Sequence, residues 1–247
     1  MIRYGLIGYP LSHSFSKQYF SRKFAQEAIA DVAYELFPLT HIEEFPDLLK
    51  QHPHLVGLNV TIPYKQQVIP FLDRLDPVAE RIGAVNTIKI APASGERLGY
   101  NSDYYGFKQS LESWLGKRPV KQALVLGTGG ASKAIVCALQ HLGVAYQYVS
   151  RHPSPKAITY EALRANYALA NFPLIVNTTP LGMSPHPEAA PDLSYEQLTA
   201  KHFCYDLVYN PEETLFMTKA AQQGAQVKNG LEMLHLQAEK SWEIWNA

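Results

Sequence analysis

Residues 123–134, ALVLGTGGASKA, decide how the second half of the chain folds. A short apolar run leads into three glycines, and apolar residues then recur at helical spacing, at positions 134, 135, 138 and 139. This order predicts a buried parallel strand that turns into a helix, with Gly127 in the tight turn. Gly129 would let the backbone approach a pyrophosphate, which the unpaired N–H groups at the helix start would bind. The alternative is an ordinary tight connection without a ligand, and Ser132 is a mild departure at the third small position.

The segment after this turn predicts which dinucleotide binds. An NAD site places an acidic residue about 20 positions past the glycines, where it accepts from the ribose 2′-hydroxyl. No Asp or Glu occurs between Gly127 and Tyr160, whereas Arg151 stands at the end of the next predicted strand, 145–149, with Lys156 close behind. A guanidinium suits a 2′-phosphate, which a carboxylate would repel. A solvated surface arginine is the alternative, but it does not explain the missing acid, so the segment predicts an NADP site.

Composition limits the classes of function. The chain has 247 residues, enough for one large or two ordinary domains, and 47% of them are hydrophobic. Its 22 basic and 22 acidic side chains cancel, so no charge pattern indicates a nucleic-acid or membrane partner. No apolar run approaches the roughly 18 residues of a membrane span, and the N-terminus does not read as a signal peptide. Cys137 and Cys204 are expected to be buried free thiols, and the scattered histidines predict no metal site. We therefore expect a soluble, cytoplasmic protein. The charge balance does not distinguish a monomer from a homodimer.

The first half predicts another α/β unit, with strands over 4–8, 33–37 and 55–60. Ser12, Ser14 and Ser16 crowd the loop before its first helix. Serines there are usually helix caps, although several hydroxyls and helix-start N–H groups could also hold a small carboxylate. Both interpretations stay open at this stage.

Polar residues follow the strand 55–60 at its carboxyl end, where α/β sheets bind ligands. Asn59 and Thr61 lie there, and Pro63 predicts the first turn of a helix that carries Lys65. A cation is disfavoured in a first helical turn, so Lys65 needs another reason for its position. Further strands are predicted at 87–90 and up to residue 100, and a helix enters at 104. Asp103 alone is best interpreted as the N-cap of that helix.

The remainder of the chain extends the second α/β pattern. Strands are predicted over 173–177, 203–209 and 226–228, with a helix over about 213–223. The last helix is amphipathic and packs onto a domain through Leu231, Leu234, Ala238, Trp242 and Trp245. The pattern places the domain boundary near residues 103–106.

Seven strings, in order along nearly the whole chain, resemble the shikimate dehydrogenase family. They are GYPLSHSFS (8–16), NVTIPYK (59–65), GAVNT (83–87), NSD (101–103), GTGGA (127–131), NTTP (177–180), and GLEM (230–233) with Gln237. The resemblance implies an α/β protein with an N-terminal substrate domain and a C-terminal Rossmann-type NADP-binding domain. The last helix would pack back on the first domain. The implied domains are 1–103 with 230–247, which binds substrate, and 104–229, which binds NADP.

The resemblance also implies the reaction, reversible NADPH-dependent reduction of 3-dehydroshikimate to shikimate in the shikimate (chorismate) pathway of aromatic amino-acid biosynthesis. The implied catalytic pair is Lys65 and Asp103. The implied substrate-binding residues are Ser14 and Ser16 for the carboxylate, Thr61, Asn86, Asp103 and Gln237 for the ring hydroxyls, and Tyr209 close by. The implied cofactor-binding residues are Gly127, Thr128, Gly129, Gly130, Ala131, Ser150, Arg151, Leu207, Gly230 and Met233.

The chemistry fits these roles. Hydride that reaches a ketone carbon leaves negative charge on the oxygen, so a proton donor fixed beside that oxygen lowers the barrier. Lys65, held by Asp103, fits this role. Two alternatives stay open: a relative that also accepts quinate or NAD, and a metabolite sensor on the same fold. A sensor would be expected to lack Lys65 or Asp103, and both are present.

The chain departs from the family pattern at a few positions. Lys17 replaces a usual proline and Ser102 a usual threonine. Ser150 and His152 flank Arg151 where the family has Asn and Thr, and Lys156 lies near the place of a second arginine. Glu232 stands where glycine is common, and the sequence offers no reason for it.

Overall fold

The structure, a computed structural model, describes residues 1–11 and 14–247. Ser12 and His13, which belong to the predicted serine-rich loop, lie outside the described residues. The chain divides into two compact units. Unit 1 comprises Met1–Ser102 and Gln237–Ala247, and unit 2 comprises Asp103–Leu236.

Unit 1 contains a six-stranded mixed sheet in the order β2-β1-β3-β5-β6-β4. Its elements are β1 (Ile2–Gly8), α1 (Phe15–Gln26), β2 (Val32–Pro38), α2 (Phe45–Gln51), β3 (Leu55–Val60), β4 (Arg74–Leu75), α3 (Pro77–Ile82), β5 (Thr87–Ile90) and β6 (Arg97–Tyr100), with 3-10 turns at Ile42–Glu44 and Ile69–Phe71. Strand β1 pairs in parallel with β2 and β3, and β5 runs antiparallel to β3 and β6. The carboxyl ends of β1, β2 and β3 therefore meet at one edge of the sheet.

Side-chain alternation gives this sheet two apolar faces. Tyr4 and Leu6 of β1 are buried in a cluster with residues of α1 and the chain's last helix, among them Phe20 and Trp245. Ile7 belongs to a cluster on the other face, with Phe45 of α2. The prediction that the last helix packs on the first domain is confirmed by the burial of Ala238 and Trp245 in unit 1.

Unit 2 contains a six-stranded parallel sheet in the order β12-β11-β10-β7-β8-β9. Its elements are α4 (Ser102–Leu115), β7 (Gln122–Leu126), α5 (Gly130–His141), β8 (Ala145–Ser150), β9 (Ala157–Thr159), α6 (Tyr160–Asn166), β10 (Leu174–Asn177), β11 (Phe203–Asp206), α7 (Leu215–Gln222), β12 (Gln226–Lys228) and α8 (Leu231–Asn246), with 3-10 turns at Leu169–Asn171 and Tyr195–Gln197. Helix α4 starts one residue before this unit, and α8 continues from it into unit 1.

Helices cover both faces of the parallel sheet. Ala123 and Val125 of β7 pack with α4 and α5, whereas Leu124 and Leu126 pack with α6 and α7. Burial on both faces explains why β7 and β10 read as continuous apolar runs. The predicted α/β class and the predicted strand–turn–helix at residues 123–134 are confirmed.

The predicted helix at Pro63 is wrong. Residues 62–68 form successive turns, and the Ile62–Pro63 peptide bond is cis. The Lys65 carbonyl accepts from the Val85 N–H at 2.7 Å, while the Ile69 N–H, its helical partner, donates to Gln66 instead. A contact distant in sequence thus replaces a helical hydrogen bond, and the first-turn argument about Lys65 no longer applies.

Smaller differences concern the ends of elements. Helix α4 begins at Ser102, so Asp103 lies inside its first turn and is not its N-cap. Strand β11 ends at Asp206 rather than at residue 209, because the Asp206 carboxylate binds the Val208 N–H and turns the chain. The two compact units divide within α8 after Leu236, and Met233, before this point, is buried in a core cluster of unit 2.

The other expectations concern thiols, metals and membranes. Cys137 and Cys204 are buried free thiols, as predicted. Over residues 1–11 and 14–247, His, Cys, Asp and Glu side chains form no group of three that could hold a metal ion. Within the same residues, no helix has both the length and the apolar character needed to cross a membrane.

Candidate active site

The glycine turn after β7 has the geometry that its sequence predicts. Gly127 has φ +100, a conformation that residues with a side chain rarely adopt, and its N–H donates to the Val149 carbonyl at 2.8 Å. Gly129 is the N-cap of α5, and because it has no side chain, no side-chain hydrogen bond caps the first N–H groups of the helix. A Cβ built on Gly129 or Gly130 would meet no atom of the described chain within 4 Å. The turn therefore leaves open space before the N-terminus of α5, which suits a bound phosphate.

Ser132, the departure from a small apolar residue in this turn, has a structural role. Its hydroxyl donates to the Gly129 carbonyl at 2.7 Å, and the side chain is buried. The serine thus fixes the start of α5 from inside. Thr128 is exposed at the tip of the turn, and Ala131 is half-buried.

Arg151 follows β8 at the same edge of the sheet, because β7 and β8 are adjacent parallel strands. Both Arg151 and Lys156 are exposed, and Ser150 is half-buried, with its hydroxyl accepting from the His152 N–H at 3.3 Å. An exposed guanidinium beside the glycine turn fits the 2′-phosphate of an adenosine ribose.

Leu207 directly follows β11, Gly230 lies between β12 and α8, and Met233 lies in the first turn of α8. A Cβ on Gly230 would stand 2.2 Å from the Leu207 carbonyl oxygen and 2.7 Å from its carbonyl carbon, so only glycine fits. Met233 and Leu207 share one apolar cluster. The sequence placed these three residues only by resemblance, and the close backbone approach supplies a physical reason for Gly230.

Asp206 was missed by the sequence reasoning. It is fully buried and accepts from Asn177 Nδ2 at 2.9 Å, from the Thr214 hydroxyl at 2.6 Å and from the Val208 N–H at 3.0 Å. Asn177 Oδ1 in turn accepts from the Thr179 hydroxyl at 2.6 Å. Burial outweighs these hydrogen bonds and raises the pKa of Asp206 to about 6. The Asp206 side chain connects the carboxyl ends of β10 and β11. In the sequence, only its position at the end of a strand could have marked it as a candidate site residue.

Glu232 also gains an explanation. Its carboxylate pairs with Lys228 and accepts from the Ser110 hydroxyl at 3.1 Å, and Ser110 accepts from Tyr205 at 2.9 Å. The acidic side chain therefore joins β12, α4 and the first turn of α8 around Gly230.

The proposed carboxylate-binding serines of unit 1 differ in their roles. Ser14 is the N-cap of α1, where its Oγ accepts from the Lys17 N–H at 3.2 Å, so the capping interpretation is correct for this residue. Ser16 lies in the first turn of α1 and is half-buried. Thr61 follows β3, and a Cβ on Gly8 would stand 2.4 Å from its methyl group. Thr61 therefore lies directly against the end of β1.

Asn86 and Gln237 are brought together by Ser102. Asn86 Oδ1 accepts from the Ser102 N–H at 2.6 Å, and Asn86 Nδ2 donates to Ser102 Oγ at 3.0 Å. The same hydroxyl approaches Gln237 Oε1 at 3.4 Å. Lys65 is half-buried in unit 1, whereas Asp103 and Tyr209 belong to unit 2. The pairing of Lys65 with Asp103 stays a prediction.

The fold and the glycine turn define the class of protein first. Counted from β7, the sheet of unit 2 has the strand order 3-2-1-4-5-6 of the Rossmann fold, which binds dinucleotides at the carboxyl ends of its central strands. Residues 6–88 match the family model described as the shikimate dehydrogenase substrate binding domain.

Known proteins then identify the family. The chain is 35% identical to shikimate dehydrogenase (NADP(+)) of Desulforamulus reducens, over 98% of this chain and 88% of the relative. It is 36% identical to the protein of the same name from Methanococcus aeolicus, over 98% and 90%. The crystal structure of shikimate 5-dehydrogenase from Thermus thermophilus in complex with NADP(H) and shikimate matches with TM-score 0.85 and 32% identity, over 99% and 93%. The chain belongs to the shikimate dehydrogenase family, as its sequence motifs indicated.

Proposed function

We propose that the protein catalyses the reversible NADPH-dependent reduction of 3-dehydroshikimate to shikimate, a step of the shikimate pathway of aromatic amino-acid biosynthesis. The observation that carries the proposal is the similarity to NADP-dependent shikimate dehydrogenases over 98% of the chain. The glycine turn, the exposed Arg151 and the absence of acidic residues between Gly127 and Tyr160 support NADP as the cofactor.

Unit 2 would hold the cofactor. The open turn at residues 127–131 would bind the pyrophosphate, and Ser150 and Arg151 would bind the 2′-phosphate. Leu207, Gly230 and Met233 would border the nicotinamide. When bound, NADPH supplies the hydride for the reduction.

Unit 1 would hold most of the substrate. Ser14 and Ser16, at the start of α1, would donate to the carboxylate. The ring hydroxyls would contact Thr61, Asn86, Asp103 and Gln237, with Tyr209 close by. A set of neutral donors and acceptors suits a polyhydroxylated ring, because each hydroxyl both donates and accepts.

Lys65 would donate a proton to the substrate oxygen during reduction and accept it during oxidation. The oxygen gains negative charge as the carbon is reduced, so a cation held beside it stabilises the transition state more than the ground state. Asp103 would hold the ammonium group in place.

The activity is tested by the absorbance of reduced nicotinamide, with shikimate or quinate as substrate and NADP or NAD as cofactor. We expect turnover of shikimate with NADP and far less with NAD. Comparable rates with quinate or NAD would instead indicate a broader dehydrogenase. Saturable shikimate binding without turnover would contradict the proposal and favour a metabolite sensor.

Lys65→Ala should lower kcat by about three orders of magnitude, with KM for shikimate within about five-fold of wild type, because the lost interaction acts mainly in the transition state. Steady-state kinetics with NADP measures both constants. Lys50→Ala is a matched control, since Lys50 is an exposed lysine of the same unit, paired with Asp47. A Lys65→Ala enzyme with wild-type kcat would eliminate this assignment.

We also propose a cytoplasmic location and a small-molecule partner. The two cysteines are buried free thiols, the state expected in a reducing compartment. Burial raises the pKa of Cys204 to about 12, so this thiol is unreactive at neutral pH.

A further inference from the structure

We propose that Ser241 is a positioning residue of the shikimate site. It lies at the centre of a buried hydrogen-bond network in unit 1 that fixes the side chains of Asn86 and Gln237. The inference rests on the proposed function, which makes those two residues substrate-binding. Ser241 itself is fully buried, so it would act through them and not by touching the ligand.

Four hydrogen-bonding groups surround the Ser241 hydroxyl. It donates to the Gln237 carbonyl at 2.9 Å, one helical turn earlier, and accepts from Asn59 Nδ2 at 2.9 Å. The hydroxyls of Thr87 and Ser102 lie 2.8 Å and 3.1 Å away. A serine hydroxyl has one proton and two lone pairs, so it can bond to three of these four neighbours at a time, and the Thr87 and Ser102 hydroxyls compete for one lone pair.

The network reaches residues of the proposed substrate site through Ser102. Towards α1, Asn59 Oδ1 accepts from the buried Tyr34 hydroxyl at 2.7 Å. Towards β5 and α4, Ser102 contacts both Asn86 and Gln237. All members of the network are buried, from 0% exposure for Thr87 and Ser241 to 8% for Gln237.

Orientation is what such a network supplies. A carboxamide presents a donor on one side and an acceptor on the other, so a rotated Asn86 or Gln237 would offer the wrong group to a ring hydroxyl. Loss of the Ser241 hydroxyl removes the 2.9 Å acceptor of Asn59 Nδ2 and the 2.8 Å neighbour of the Thr87 hydroxyl. Asn59 Nδ2 then retains the Asn86 carbonyl, at 3.4 Å, and the Thr87 hydroxyl retains Asn86 Oδ1 at 3.2 Å and Ser102 at 3.1 Å, so the network must rearrange around Asn86. Shikimate would then bind to a less ordered site.

The experiment compares Ser241→Ala with wild type in KM for shikimate, KM for NADP, kcat and melting temperature. We expect KM for shikimate to rise about ten-fold, while kcat and KM for NADP stay within about two-fold. If Ser241 had only a structural role, its substitution would lower the melting temperature and the active fraction without a selective rise of KM for shikimate. Direct titration of shikimate into the protein without cofactor, where no turnover can occur, should show the same loss of affinity.

Trp245→Phe is the matched control. It lies one turn further along α8 and loses one buried hydrogen bond, from Nε1 to the Ile88 carbonyl at 3.0 Å, but it lies outside the network. This variant should lower the melting temperature and leave KM for shikimate within about two-fold. An equal rise of KM in both variants would overturn the proposal.

A second pair of variants decides the question if Ser241→Ala does not fold. Thr87→Val removes a network hydroxyl at constant volume, and Thr87→Ser retains it. We expect Thr87→Val to raise KM for shikimate several-fold, whereas Thr87→Ser should leave KM near the wild-type value. Equal constants in the two variants would overturn the proposal. An inactive wild type would instead refute the proposed function, so the two failures are distinguishable.

Discussion

Single residues determine both ends of the proposed NADP site. At the nicotinamide end, Gly230 lets the backbone come into contact with the Leu207 carbonyl, where any side chain would collide. At the adenosine end, Arg151 supplies a charge that the surrounding sequence does not neutralise, because acidic residues are absent between Gly127 and Tyr160. Gly230 would contribute to cofactor binding by leaving space and Arg151 by its charge. Only the contribution of Arg151 should therefore depend on the 2′-phosphate and on ionic strength.

Arg151→Ala should raise KM for NADP at least ten-fold, because it removes one charge-assisted contact with the 2′-phosphate. KM for NAD, which has no 2′-phosphate, should change little. The effect should weaken at high ionic strength, because Arg151 is exposed. Initial rates with both cofactors at fixed shikimate measure it.

The control for this experiment is Arg164→Ala, which removes an exposed arginine of unit 2 that pairs with Asp192. It should leave both Michaelis constants unchanged. Should Arg151→Ala weaken NADP and NAD equally, Arg151 would not be the residue that recognises the 2′-phosphate.

Among the elements, the end of α8 packs on the sheet of unit 1 through two aromatic residues, Trp242 and Trp245, of which Trp245 is the more deeply buried. Trp245 packs against Tyr4, with ring centroids 4.8 Å apart, and donates to the Ile88 carbonyl. Its indole covers Gly57 of β3, where a Cβ would stand 2.5 Å from Cδ1. The absence of a side chain at residue 57 is therefore a condition for the packing of α8.

Gly57→Ala should lower the free energy of unfolding by about 1–3 kcal/mol, because the added methyl group displaces the indole from a filled core. Urea denaturation followed by tryptophan fluorescence measures the change. Combined with Trp245→Leu, the same substitution should cost less than on its own, since the smaller side chain leaves room for the methyl group. Additive effects of the two substitutions would mean that they do not share this contact.

The sequence predicted elements where local pattern and burial agree. Residues 55–60, 174–177 and 226–228 are strands, and the glycine turn at 127–130 leads into a helix, because each pattern is set by neighbours in the chain. The segment after Pro63 could not be predicted in this way, since the Lys65 carbonyl bonds to Val85 instead of to the next helical turn. Helices α3 and α6 and the short strands β4 and β9 are too brief to show a clear period.

Across the whole molecule, the interactions that the sequence could not reveal are long-range and polar. Ser241 lies 182 residues from Asn59 and 154 residues from Thr87, so no local pattern joins them. The candidate site was predicted through family motifs, which name the residues that face a ligand. The buried groups that fix those residues, such as Ser241 and Asp206, carry no motif of their own and become visible only in the folded chain.

Asp206 makes the stability of the molecule depend on pH. Burial raises the pKa of its carboxyl group from 3.8 to about 6, so the folded state favours the protonated form. This contribution is fully present below the unfolded value of 3.8 and is lost as the pH rises through about 6. The gap between the two values corresponds to about 3 kcal/mol.

Asp206→Asn should remove this dependence. The amide oxygen can still accept from Asn177 and Val208, and the amide nitrogen can donate to Thr214, so the variant keeps the hydrogen bonds without a titrating group. Between about pH 4 and pH 7, wild type should lose stability relative to the variant, because only wild type must ionise a buried carboxyl group. Calorimetric melting of both proteins at several pH values measures the difference, and other carboxylates cancel in it. Parallel curves of stability against pH would show that Asp206 does not titrate in this range. If wild type instead became more stable than the variant as the pH rises, the three hydrogen bonds of the carboxylate would stabilise its charged form more than burial destabilises it.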